Sequence, residues 1–114
     1  MTIPFSVVKM IVKKHLTKKQ KVIWLWLKGS AAYADTSTLA RLCKDEEIAR
    51  RYAYDVARNL YLAGLVTDKD MKRRKTSMHK NWQEYSMNER ELSGARKLIK
   101  LVKKYTRKHE RGLL

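Results

Sequence analysis

Arg50, Arg51, Tyr54 and Arg58 fall on one side of a helix predicted to start at the N-cap Asp45 and stop at Gly64. Glu47 and Tyr61 share that side, while Ala49, Ala53, Val56, Leu60 and Ala63 recur at steps of three and four along the other. A guanidinium can donate two hydrogen bonds to a guanine edge, and each good pair of this kind discriminates between bases by ~1–3 kcal/mol. A tyrosine beside it can meet a phosphate or a thymine methyl. The small inner face lets the helix sit close to its neighbours. These features predict a helix that enters a nucleic-acid groove. The competing use of the same face is a solvated one, with Glu46–Arg50 and Glu47–Arg51 paired at i,i+4 and Asp55 alongside.

Charge points the same way. The 114 residues hold 27 Lys+Arg against 11 Asp+Glu, a formal +16. So large an excess repels itself in a compact chain unless something acidic shares the surface. Nucleic acid is the usual partner, since neutralising phosphates releases counterions. A merely soluble basic surface and an acidic membrane surface are the other readings. Nothing argues for catalysis, cofactor or metal binding. His15, His79 and His109 stand in no ligand spacing, and no phosphate loop or serine elbow occurs. Cys43 is the only cysteine, which excludes an internal disulfide and fits a reducing compartment. With neither signal-peptide order nor a membrane-length apolar run, the expected location is cytoplasmic, at the nucleoid if the source is prokaryotic or viral.

The elements that must position these residues follow from the chain in order. Four glycines and one proline in a single-domain length favour helices with short connections. Residues 6–15 form a short amphipathic helix with Val7, Val8, Ile11 and Val12 against Lys9, Lys13 and Lys14. Thr17 and Gln20 make a capping box ahead of an almost wholly apolar helix, the predicted core, which ends at Gly29. Trp24 and Trp26 read as packing residues. Ala31–Ala34 is a small strand or extended link. The stretch Asp35-Thr36-Ser37 offers caps for a short helix through Lys44, with Cys43 as a small core hydrophobe. The turn into the next helix is tight, so the two must cross steeply. After Gly64, Leu65–Thr67 and Trp82–Met87 are predicted to pair as a hairpin around a long charged loop. Asn88, with Glu91, caps a final helix whose stripe includes Leu92, Ala95, Ile99 and Val102.

This order resembles a winged helix-turn-helix domain. The residues that carry the resemblance are Leu16-Thr17-Lys18-Lys19-Gln20, Leu39-Ala40-Arg41-Leu42 and Asn59-Leu60-Tyr61-Leu62-Ala63-Gly64-Leu65-Val66. Glu84-Tyr85-Ser86-Met87-Asn88, feeding a capped helix, is similar to the exit from the wing in MarR-like and PadR-like regulators. One departure is the turn between the second and third helices, Cys43-Lys44-Asp45, where a small and an apolar residue are usual. The resemblance implies a mainly α fold with a small β-hairpin: an N-terminal helix (1–15), a winged core (16–87) and a C-terminal helix with a frayed tail (88–114). It further implies that Arg50, Arg51, Tyr54 and Arg58 face the major groove, with Lys72, Arg73, Arg74 and Lys75 as the wing on the backbone or in the minor groove. Thr36, Ser37 and Thr38, at a helix N-terminus, suit a phosphate.

The function expected is sequence-preferring binding of double-stranded DNA by a homodimer, as a transcriptional regulator or a plasmid or virus partition or replication factor. The wide apolar stripes of the terminal helices would form the dimer surface through Val8, Ile11, Val12, Leu92, Ala95, Ile99 and Val102. Two recognition helices would then lie about one DNA turn, ~34 Å, apart. The alternatives are an RNA-binding or ribosome-associated winged-helix protein, and a module for an acidic protein or membrane surface.

Overall fold

The computed structural model describes residues 3–74 and 89–113, the side chains of 89–92 excepted. In these residues the elements run α1 (Phe5–His15), α2 (Lys18–Leu27), a 3-10 turn (Ala31–Tyr33), α3 (Leu39–Asp45), α4 (Arg50–Leu62), α5 (Asp68–Arg73) and α6 (Glu89–Glu110).

The strongest start signal in the sequence works as chemistry demands. Thr17 Oγ1 accepts from the Gln20 N–H at 3.3 Å, and Gln20 Oε1 accepts from the Thr17 N–H at 2.8 Å. Two orphan donors at the start of α2 are thereby satisfied. Ile23, Trp26 and Leu27 are fully buried and Trp24 nearly so. Each indole N–H also ties down a distant loop: Trp24 donates to the Leu65 carbonyl at 3.0 Å and Trp26 to the Thr36 carbonyl at 2.8 Å. Both tryptophans are packing residues that fix chain direction on either side of α2.

Helix α4 packs against α2, α3 and α6. Its buried line of Ala53, Val56, Ala57 and Leu60 is short in side chain, which allows the close approach. Helix α1 joins the same core through Val7, Val8, Ile11 and Val12, and α6 through Leu98, Val102 and Tyr105. The start of α1 is pinned to the end of α4 at Gly64. That glycine has φ +82°, and a Cβ there would stand 2.8 Å from the Ile3 side chain. At the other end of α1, His15 Nε2 and the Tyr105 hydroxyl share a hydrogen bond of 2.8 Å across to α6. The terminal helices therefore find their apolar neighbours inside one chain.

The hairpin wing is overturned. All regular structure among the described residues is helical, and no strand occurs in them. Leu65 and Val66 are buried in the core without pairing as a strand, and Thr67 then starts α5. The physical reason is a second capping box: Thr67 Oγ1 accepts from the Asp70 N–H at 3.2 Å, and Asp70 Oδ2 from the Thr67 N–H at 2.8 Å. This S/T-x-x-D/E pattern is a helix start, and it lies where the sequence reading placed a loop. The mainly α fold with a small β-hairpin is thus corrected to an all-helical arrangement of the described residues. The second expected strand, 82–87, and the cap at Asn88 lie outside them.

Candidate nucleic-acid interface

The stretch from α3 to α4 sets the geometry of the surface. Thr38, not an earlier residue, caps α3, accepting from the Arg41 N–H at 3.1 Å. Helix α3 runs on to Asp45, and α4 begins only at Arg50. Between them Glu47 sits in the left-handed region at φ +54°, and the Ile48 N–H donates to the Cys43 carbonyl at 2.9 Å. This is the hydrogen bond of a helix ending in a left-handed residue. Ile48 is buried and supplies the apolar turn residue that Cys43-Lys44-Asp45 had lacked. The N-cap of α4 is Ala49, four residues further along than the expected Asp45.

That shift changes the charge at the start of α4. Glu46 and Glu47 are off the helix, so the i,i+4 pairs Glu46–Arg50 and Glu47–Arg51 do not form. Among the described residues, neither Arg50 nor Arg51 has an acidic partner within ion-pair distance, and both are exposed. Ala49 at the N-cap has no side chain with which to cap the helix. The end of α4 thus presents uncapped helix-dipole charge, two guanidinium groups and the phenols of Tyr52 and Tyr54, each 38% exposed. Tyr52 was missed by sequence reasoning because it belongs to neither the apolar stripe nor its opposite. Arg50 also reaches inward electrostatically: burial pushes the Cys43 thiol pKa up, and the Arg50 charge pulls it back.

Arg58 does not join this group. Its side chain is only 15% exposed and donates to Asp55 at 2.8 Å, and its Nε is buried without a partner. Helix α6 packs along α4 here, so close that a Cβ on Gly94 would lie 2.5 Å from the Asn59 amide nitrogen. The accessible part of α4 is therefore its first turn and a half.

No known protein family, curated protein or solved structure matches the chain.

The remaining predicted residues scatter. Arg73 and Arg74 belong to the end of α5 and are tied to the fold by backbone carbonyls, Arg73 while its side chain stays 44% exposed and 3.6 Å from Asp70 Oδ1. Arg73 Nη1 donates to the Lys28 carbonyl at 2.8 Å. Arg74 Nε donates to the Trp26 carbonyl at 2.7 Å and Nη1 to the Thr36 carbonyl at 3.2 Å, with the guanidinium 4.7 Å from the centre of the Trp26 ring. Burial, and then the Arg73 charge, lower the Arg74 pKa. Beneath them Asp70 is almost wholly buried and binds Lys28 Nζ at 2.9 Å. Burial alone would raise the Asp70 pKa. The hydrogen bond from the Thr67 backbone, together with Lys28, outweighs it and holds the carboxyl below its ordinary value. Lys72 is exposed, and Lys75 lies outside the described residues. The wing residues have thus lost the hairpin that would have presented them.

Thr36 is half-buried and its carbonyl is shared by Trp26 and Arg74, while Ser37 and Thr38 are exposed and the Thr38 hydroxyl is taken by capping. Of the expected dimer residues, Val8, Ile11, Val12, Ala95 and Val102 are buried within the chain and Ile99 half-buried, with the Leu92 side chain outside the description. The apolar stripe that called for a second chain is covered by this one. Among the described residues no group of His, Cys, Asp and Glu is arranged to hold a metal, and no helix is long and apolar enough to cross a membrane.

Proposed function

We propose that this protein binds double-stranded DNA, inserting the first turn of α4 into the major groove, with Arg50, Arg51 and Tyr54 as the contacting residues. One observation carries the proposal: the α3–turn–α4 pair, backed by α2, leaves two arginines that have no acidic partner among the described residues at the uncapped start of the second helix. In helix-turn-helix readers it is the N-terminal residues of that helix that reach base edges. The acidic residues that would have repelled a phosphate there lie in the turn instead. A single chain supplies this surface, and a reducing intracellular compartment suits its one buried thiol. Regulation of transcription, partition and replication all use such an activity.

The test is competition. Binding of a labelled 20-base-pair duplex, selected from a random pool, is challenged with unlabelled duplex DNA, structured RNA and anionic vesicles near physiological salt. The proposal expects duplex DNA to compete best. Equal competition by RNA would transfer the function to RNA binding, and the half-exposed Tyr52 and Tyr54 would then be its stacking residues.

A further inference from the structure

Helix α6 carries two faces that do not overlap. Ala95, Leu98, Val102 and Tyr105 are buried against the rest of the chain. On the opposite side stand Lys100, Lys103, Lys104, Arg107, Lys108 and Arg111, which line one shallow surface depression. At 100° per residue these six occupy an arc of about 140° and extend about 16 Å along the axis. Glu110 is the only acid between positions 93 and 113. Among the described residues none of the six cations has an acidic partner within ion-pair distance.

This face is costly to a free protein. Lys100–Lys104–Lys108 and Lys103–Arg107–Arg111 are two rows of like charge at i,i+4, and each such contact opposes the helix. Anions laid along the rows would remove that cost. We infer that the outer face of α6 is a second, sequence-independent binding surface for the phosphate backbone of duplex nucleic acid. It rests on the proposed DNA-binding function and adds a surface that the α4 end does not include.

The chemistry selects this occupant over others. Duplex DNA carries one negative charge per ~1.7 Å of its axis, both strands counted, a charge density that six cations gathered on one helix face can meet. An amphipathic helix that binds lipid needs its apolar face to enter the bilayer, and the apolar face of α6 is already buried in the core. A protein partner would call for aromatic or aliphatic anchors among the charges, and this row has none. Lys104 and Lys108 are further steadied by lying over the Tyr105 ring, at 5.8 and 5.6 Å from its centre.

The experiment compares the unmodified chain with a quadruple variant, Lys100→Gln, Lys103→Gln, Arg107→Gln and Arg111→Gln, which leaves the two Tyr105 contacts in place. Affinity for a random-sequence 20-base-pair duplex is measured from 50 to 200 mM salt, beside thermal unfolding and binding to vesicles containing phosphatidylserine. The expected result is a salt slope reduced by about 3–4 and an affinity at least ~10-fold lower at 50 mM. Thermal stability should be unchanged or raised, because like charges have been removed. An unchanged slope in a folded variant overturns the inference, as does an effect seen only with vesicles, or failure of the unmodified chain to bind any duplex. The α4 reading fails separately: Arg50→Ala with Arg51→Ala would leave binding intact while the α6 variant abolishes it.

Discussion

Two arginine pairs in this chain stand at helix ends and meet opposite surroundings. Arg73 and Arg74 close α5 beside the end of α2, where the carbonyls of Trp26 and Lys28 are directed at them. The last carbonyls of a helix lack intrahelical donors, so a guanidinium with five N–H groups is readily drawn in and held. Arg50 and Arg51 open α4, where the backbone offers donors rather than acceptors. Among the described residues neither a carbonyl nor a carboxylate is paired with their side chains. An arginine at a helix start is thus left for an anion from outside, whereas one beside a helix end becomes part of the fold.

The largest effect on this contrast is expected at Asp70, which underlies the inward pair. Asp70→Ala removes the α5 capping box and leaves Lys28 half-buried without its partner, and should cost about 3 kcal/mol of stability by denaturant unfolding. The same carboxylate sets an acid limit. Its pKa is lower in the folded chain than in the unfolded one, so its contribution is whole above about pH 4 and is lost as pH falls through the folded value. Asp70→Asn should flatten that part of the stability profile. Arg74→Ala comes next, at about 2 kcal/mol, because the Trp26 and Thr36 carbonyls lose a donor and the indole its cation. Its DNA affinity, measured under conditions where the variant is folded, should be nearly unchanged.

For the outward pair the signs reverse. Arg51→Ala should alter stability by less than about 0.5 kcal/mol, yet lower discrimination between a selected and a scrambled duplex by ~1–3 kcal/mol. The smallest effect is at Glu47. Its left-handed conformation costs an ordinary L-residue about 1 kcal/mol, so Glu47→Gly should raise the midpoint of unfolding slightly and leave duplex binding as it was. A loss of stability there would show that the Glu47 side chain makes a contribution of its own.

Where chemistry is local, the sequence was readable. The Thr17–Gln20 capping box, the buried tryptophans of α2 and the small inner line of α4 depend on neighbours a few residues away. The start of α4 was misplaced because Asp45-Glu46-Glu47 resembles an acidic first turn, whereas the turn depends on a non-glycine residue taking a left-handed conformation. The wing failed on residues that were legible: Thr67-Asp68-Lys69-Asp70 is a capping box, passed over for the charge that follows it. What no local pattern could show is which arginines would find carbonyls, since Trp26, Lys28 and Thr36 lie 38 to 48 positions from their partners. The same holds for the stripes of α1 and α6: α6 packs on both α1 and α4.

The most direct test is to titrate isotope-labelled protein with a selected duplex and follow the backbone amide and arginine side-chain resonances residue by residue. The largest shifts should come at Arg50, Arg51, Tyr52 and Tyr54, with the Arg73 and Arg74 side chains undisturbed. Shifts centred on Arg73 and Arg74, with the start of α4 silent, would contradict the division between the two arginine pairs.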